Sequence, residues 1–158
     1  MKQLITAAAC GLLAATAMTT AAAADGHTST EVVSGIYEAF AAGDPEAFAA
    51  ALHPEIVWNE AEGNTYADGN PYEGPQAVMA GVIGRVATEW DGFTATPEEM
   101  IAQVNRVVVL GRYTGVYGAT GKSIDAQMVH VWTVQDGQAI SFQQYVDTLQ
   151  LSQAEHAD

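Results

Sequence analysis

Positive charge is what this sequence has least of: its 158 residues carry five Lys plus Arg against 19 Asp plus Glu, a formal net charge of −14 at pH 7. Surfaces that hold nucleic acid or anionic membrane draw their affinity from clustered lysine and arginine, and too few are present to cluster. Cysteine is nearly absent, with a single residue at position 10. Disulfide frameworks and cysteine-ligated zinc are therefore excluded. The chain has no internal repeat, and its five prolines are too few for a collagen-like class. What is abundant is apolar: 49% of residues are hydrophobic, enough at this length for one core in one domain.

Residues 1–24 stand apart from that domain. Met1 and Lys2 precede an apolar run through Leu4, Ile5, Leu12, Leu13 and Met18, which closes on four alanines before Asp25. A basic start, an apolar middle and small residues before a cut describe a secretory signal peptide, with Ala22 and Ala24 fitting the A-x-A rule. The expected mature protein starts at Asp25, is periplasmic or secreted, and keeps no stable membrane anchor. Cleavage also removes Cys10 and Lys2, leaving four basic residues against 19 acidic ones.

Beyond a short leader, 25–29, the spacing of Val32, Ile36, Ala39, Phe40 and Gly43 predicts a first helix, capped by Ser29 or Thr30. Asp44, Pro45 and Glu46 are a helix start, and Pro54 disfavours helix at His53, so a second short helix lies between them. Ile56 to Trp58 reads as a strand, Asn59 to Pro71 as a polar loop, and Gly74-Pro75 as the opening of a third helix through Val86. Gly81 and Gly84 within it permit close backbone packing. From Trp90 the period changes to two, with strands expected over 93–102, 106–117, 123–134 and 138–146. Helices first and strands after make an α+β fold, a curved antiparallel sheet folded over three helices. The segment ATGKS (Ala119 to Ser123) lacks the upstream glycine of a phosphate-binding loop, Val116 standing there, and is read as a hairpin turn.

Two residues stand out chemically. Glu60 follows Trp58 by two and is expected on the same side as that ring; a carboxylate beside an indole in a closed site is raised towards the working pH of a general base. His130 shares its strand face with Ala126, Met128, Trp132 and Val134, which suits a pocket or core position. No second ligand has metal spacing near it, so no metal site is expected, and no cofactor. Arg112 sits inside a strand, where it serves either a carboxylate such as Asp147 or a substrate. Tyr37, Tyr113, Tyr117 and Tyr145 are read as core or interface residues.

The order of a helix, GDPEAFAAALHPEIVWNE, a GPQAV helix, NRVVVLGRYTG and MVHVWTVQDGQAISFQQYVDT resembles the SnoaL-like polyketide cyclases of the nuclear-transport-factor-2-like superfamily, which includes ketosteroid isomerases and limonene-epoxide hydrolase. The resemblance covers Thr30 to about Leu149. It implies a cone-shaped sheet wrapped around three helices, an apolar pocket at the open end and, usually, a homodimer. The domain is accordingly set at 30–150, followed by a flexible tail, 151–158. By the resemblance Glu60 matches the isomerase's proton-shuttling carboxylate and His130 the acid of its oxyanion hole. The isomerase's tyrosine aligns with Ile36, one place before Tyr37. Arg112 and Asp147 match an Arg and an Asp of the hydrolase triad, with Thr114 at its other Asp.

The expectation is thus an exported, cofactor-independent isomerase or cyclase acting on a small carbonyl compound. Its catalytic candidates are Glu60, His130, Arg112 and Asp147, in a pocket lined by Trp58, Thr114, Met128, Trp132 and Phe142. The alternatives are a non-catalytic binding module or a dimerisation domain of the same fold. Tyr113, Val129, Val131 and Tyr145 are taken as the outer sheet face that a partner would cover.

Overall fold

A computed structural model describes residues 28–157. The expected signal peptide and the first residues of the leader lie outside them. Helix α1 (Ser29–Ala42) is capped by Thr28, not by Ser29 or Thr30. Thr28 stands three residues before Glu31, and the two cap each other reciprocally, the Glu31 amide donating to Thr28 Oγ1 (3.3 Å) and the Thr28 amide to Glu31 Oε2 (2.6 Å). Gly43 ends the helix at φ 64°, the left-handed conformation that glycine adopts without strain. Helix α2 (Pro45–Ala50) is capped as expected, Asp44 accepting from the amides of Glu46 and Ala47.

The strands are β1 (Leu52–Asn59), β2 (Tyr72–Glu73), β3 (Trp90–Gln103), β4 (Arg106–Tyr117), β5 (Ser123–Gln135) and β6 (Gln138–Val146), in the order β2-β1-β6-β5-β4-β3. Neighbours are antiparallel except β1 and β6, which run parallel, so the sheet is mixed at one seam. Connectivity permits the parallel seam: β1 is separated from β6 by the rest of the fold, so no hairpin forces them antiparallel. Tight turns join β3 to β4 and β5 to β6, the second through Asp136 and Gly137, both at positive φ. Residues 118–122 form the expected turn between β4 and β5.

Curvature comes from bulges. Strand β3 shifts register against β4 between Asp91 and Thr94 and again between Pro97 and Glu99. At the second bend β3 lies so close over β4 that a Cβ on Gly111 would stand 2.2 Å from the Thr96 carbonyl oxygen. The third helical region is continuous but irregular: α3 (Pro75–Val78), a π-helical turn (Met79–Ile83) and α4 (Gly84–Glu89). Gly81 lies against Tyr72, where a Cβ would meet Cε1 at 2.1 Å. The expected close packing is therefore ring on backbone.

The bent sheet and these helices enclose a core of Val33, Ile36, Leu52, Ile56, Val78, Val107, Val109, Trp132 and Phe142, all nearly inaccessible. The buried stripe of α1 centres on Val33, Ile36, Tyr37 and Ala39, while Val32 and Phe40 are half-buried beside it. Of the segment 151–158, expected to be a flexible tail, residues 151–155 are helical: α5 (Thr148–Glu155) buries Leu151 and Ala154. Asp147 caps it, accepting from the Gln150 amide at 3.1 Å. Among the described residues no helix is long and apolar enough to cross a membrane.

Candidate active site

Glu60 lies one residue past β1, and the alternation that buries Trp58 carries it inward to 2% exposure. Its backbone is pinned by Asn70, whose side chain accepts from the Glu60 amide (2.9 Å) and donates to the Glu60 carbonyl (2.8 Å). The Trp58 indole donates to Oε1 at 2.6 Å and the Asn64 amide to Oε2 at 2.9 Å. Burial pushes the carboxyl up from 4.5 to about 7, against the opposing pull of hydrogen bonding from Trp58 and the neighbouring Gln144. This group changes charge near neutrality.

His130, 3% exposed, projects from β5 with both ring nitrogens engaged. Tyr37 on α1 meets Nδ1 at 2.5 Å, and Tyr113 on β4 meets Nε2 at 2.6 Å. Burial drives the imidazole down from 6.5 to about 3, so it is neutral at physiological pH, and raises both phenols above their ordinary range. Trp132 Nε1 donates to Tyr37 (3.3 Å), and Gln144 Nε2 donates to Tyr113 (3.1 Å). Gln144 Oε1 accepts from Asn64 (2.8 Å) and from the Ala61 amide (3.2 Å). One chain of hydrogen bonds thus connects Glu60 to Trp132 through Asn64, Gln144, Tyr113, His130 and Tyr37.

Two phenols and a neutral imidazole bring three hydrogens to two hydrogen bonds. One tyrosine donates to the bare ring nitrogen, the other accepts from the ring N–H, and the hydroxyl hydrogen of the accepting tyrosine is left over. Swapping the imidazole tautomer moves the spare hydrogen from Tyr113 to Tyr37. Both hydroxyl-bearing residues line the same cavity as Glu60.

The cavity is small, about 60 Å³ by the measure in which one water needs roughly 10–15 Å³. Its walls are otherwise apolar: Trp58 stacks on Phe142 (3.7 Å), Trp132 lies across both, and Ile36, Phe40, Phe48, Val82 and Phe93 close the rest. Among the described residues no three or more of His, Cys, Asp and Glu come together as a metal site.

Of the residues singled out in the sequence, Glu60, His130, Trp58, Trp132 and Phe142 meet here. Four do not. Arg112 faces out from β4 and pairs with Asp125, not Asp147, its Nε donating to Asp125 Oδ1 at 2.5 Å. Asp147 is exposed and spent on capping α5. Thr114 bonds across the strand pair to Thr94 at 2.8 Å. Met128 is buried, but under Gly111 in the core, outside the cavity lining. The strand alternation that turns Tyr113 inward turns Arg112 and Thr114 outward.

The model of the SnoaL-like domain matches residues 33–142, more than half of the chain. The chain belongs to the SnoaL-like family. Its fold is nuclear-transport-factor-2-like. A protein of that fold from Burkholderia thailandensis is 34% identical, with 83% of this chain and 99% of the other covered and a TM-score of 0.79. TerC, whose structure was obtained by co-crystallisation with polyporic acid, is 28% identical over 80% of this chain and 96% of its own, with a TM-score of 0.72. IdmH of Streptomyces antibioticus, a proposed polyketide cyclase, shares the fold at 21% identity, with coverages of 82% and 100% and a TM-score of 0.69. No curated protein matches the chain.

Sequence reading missed four polar members of this SnoaL-like pocket: Tyr37, Asn64, Tyr113 and Gln144. Three carried a signal. Gln144 is two residues from Phe142, and Tyr113 lies on the parity of Val107 and Val109, so both were bound to face inward with their neighbours. Tyr37 follows Val33 by four on the same helix face. Asn64 sits in a loop without periodicity, and only the three-dimensional course of that loop, closed by the 3₁₀ turn Thr65–Gly69, brings it to Glu60.

Proposed function

We propose that this SnoaL-like protein is a cofactor-independent acid/base catalyst that shifts a proton alpha to the carbonyl of a small uncharged compound, in an isomerisation or aldol-type cyclisation. Glu60 takes the proton. The spare tyrosine hydroxyl of the Tyr37–His130–Tyr113 relay donates to the oxygen on which negative charge develops. This revises the expected role of His130: with both nitrogens occupied, it sets which tyrosine donates and does not itself reach the substrate. The observation that carries the reading is a buried carboxylate sharing one small apolar cavity with a phenol–imidazole–phenol relay that has a hydrogen to give. TerC's co-crystallisation with polyporic acid supports a small-molecule ligand, and IdmH's proposed cyclase activity supports the reaction class.

The test is solvent-deuterium incorporation at the alpha carbon of simple ketones and β-ketoesters, followed by proton NMR. The wild type is expected to exchange and Glu60→Gln to lose the exchange; equal exchange by both removes Glu60 from the mechanism. A second reading, a binding module without chemistry, is favoured by one observation: both oxygens of Glu60 and both nitrogens of His130 already have partners. It predicts ligand binding without exchange.

Two further expectations belong to this proposal. Export through residues 1–24 leaves Asp25 as the first residue of a periplasmic or secreted protein, which intact-mass measurement of the exported form checks. A homodimer forms through the outer sheet face, where Val129 and Val131 are half-buried and Tyr145 is 57% exposed. Tyr113 no longer counts toward that face, since it points into the pocket. Light scattering at micromolar concentration is expected to give twice the chain mass.

A further inference from the structure

Two side-chain amides, Asn64 and Gln144, stand between Glu60 and the tyrosine relay, and both are buried. Backbone donors fix which way each one points. A main-chain amide can only donate, so the Ala61 N–H that meets Gln144 at 3.2 Å marks the oxygen end of that side chain. The Tyr66 N–H, 3.1 Å from Asn64, marks its oxygen end in the same way. The amino ends are then committed. Asn64 Nδ2 spends its two hydrogens on Glu60 Oε2 (2.9 Å) and Gln144 Oε1 (2.8 Å). Gln144 Nε2 donates to the Tyr113 hydroxyl (3.1 Å), and the same side chain lies within bonding reach of Glu60. Gln144 therefore touches the base and the relay at once, and it cannot turn over without setting N–H against N–H at Ala61 and at Asn64.

The three hydrogens of the relay form a row, and they shift together when the imidazole changes tautomer. With the ring hydrogen on Nε2, Tyr37 donates to Nδ1, the ring donates to Tyr113, and the Tyr113 hydrogen is the spare one. With it on Nδ1 the row is displaced towards α1, and Tyr37 holds the spare. Two asymmetries favour the first arrangement. Tyr113 accepts from Gln144 at 3.1 Å whereas Tyr37 accepts from Trp132 at 3.3 Å, and a hydroxyl that already accepts is the better donor. The second asymmetry is charge. Glu60 lies at the Tyr113 end of the row, joined to it by Gln144, and an ionised carboxylate draws the hydrogens its way. The other titratable groups lining the cavity are Tyr37 on α1, Tyr66 on the 3₁₀ turn, Tyr113 on β4 and His130 on β5. Tyr66 is engaged elsewhere, its hydroxyl donating to Glu89 at 2.8 Å. Among the described residues no Lys, Arg or second carboxylate lines the cavity to oppose the pull.

We propose that Gln144 is a positioning residue: it holds His130 in the Nε2–H tautomer while Glu60 is ionised, and so makes Tyr113, and not Tyr37, the hydroxyl that donates to the substrate oxygen. The donation to substrate rests on the acid/base reading of this cavity; the tautomer and its coupling to Glu60 do not. The coupling has a direction in turnover. The base is ionised when substrate arrives, so the spare hydrogen stands on the tyrosine joined to Glu60 as the alpha proton leaves. Once Glu60 has taken that proton, the pull on the row is released.

The experiment is long-range proton–nitrogen correlation NMR on protein with isotope-labelled histidine rings, the His130 signals being identified by their absence from His130→Gln. At about pH 8.5, above the value near 7 at which Glu60 ionises, the wild type is expected to carry the ring hydrogen chiefly on Nε2, and at about pH 5.5 to show a larger Nδ1–H share. Glu60→Gln is expected to remove that pH dependence. Gln144→Leu is expected to put the hydrogen on Nδ1 at both pH values. It is also expected to lower kcat for alpha-proton exchange roughly tenfold, the effect of one neutral hydrogen bond, with KM within about twofold of the wild type. Tyr113→Phe, which costs the wild type more than Tyr37→Phe does, is expected to cost little in the Gln144→Leu background. A wild-type ring that is mainly Nδ1–H at the higher pH, or a tautomer ratio indifferent to both pH and Gln144→Leu, overturns the inference. If Gln144→Leu does not fold, the wild type and Glu60→Gln decide it alone. Absence of exchange in every ketone while the tautomer follows Glu60 overturns the chemistry proposed for Glu60 and leaves the positioning by Gln144 standing.

Discussion

Two polar clusters on the same sheet invite comparison. On the inner face Glu60, His130, Tyr37 and Tyr113 sit nearly inaccessible among aromatic rings; on the outer face Arg112 pairs with Asp125 and Thr114 with Thr94, largely in solvent. Residue for residue the outer cluster is the more highly charged, and it includes two of the positions that the sequence put forward as functional. Yet water screens it, and a surface ion pair of this kind contributes little. The inner cluster draws its chemistry from its surroundings: burial raises Glu60 towards neutrality, lowers His130 and holds both phenols protonated. Enclosure, more than residue type, separates a reactive group from a solvated one.

The sharpest way to break that contrast is at Glu60. Glu60→Gln is expected to reduce alpha-proton exchange by about 10²–10⁴-fold, the range for removing a positioned general base. Tyr37→Phe and Tyr113→Phe come next. Either alone leaves the relay another donor after a tautomer change, so each costs less than the pair, which is expected to lose about 10²–10³-fold in NMR-monitored exchange, as for a lost oxyanion donor.

Titration separates the two faces in another way. Glu60 has a folded pKa above its unfolded one, so the stability tied to it is fully present below pH 4.5 and is lost as pH rises through about 7. The contribution is about 3 kcal/mol. His130 has a depressed folded pKa, so its contribution is present above pH 6.5 and is lost as pH falls through about 3. Between about 4.5 and 6.5 the two slopes oppose each other, because folding places a proton on Glu60 and removes one from His130. Urea denaturation across pH is expected to show a decline between pH 6 and 8 that Glu60→Gln abolishes, while kcat/KM climbs over the same interval as the base ionises.

Smaller effects test the supports. Gly81→Ala is expected to destabilise by about 1–3 kcal/mol in denaturant titration, since its Cβ would press into the Tyr72 ring. Arg112→Gln is expected to leave exchange within twofold of the wild type. A large loss there would mean that the outer face takes part in the chemistry and would dissolve the comparison.

Most of the fold was readable in the sequence, for identifiable reasons. Strands β4 and β6 have the expected ends because turns and alternating apolar residues act locally, and Asp44-Pro45 caps α2 as its residue types require. The failures have causes too. Arg112 and Asp147 looked like a pair by resemblance, but one faces outward from β4 and the other begins a helix that was read as tail. Helix α5 has weak amphipathic patterning and is held by burying Leu151 and Ala154, a tertiary effect.

By itself, then, the sequence determined most of the elements, their order and the family resemblance, because these follow from local propensity and a period of two or 3.6 residues. The tertiary structure alone decided which of the chain's acids and phenols share one cavity. Glu60, Asn64, His130, Tyr37 and Tyr113 come from a loop, two strands and a helix, and no local rule couples them. Their meeting, and the pKa shifts that make it chemical, exist only where the bent sheet closes over α1 and buries these side chains.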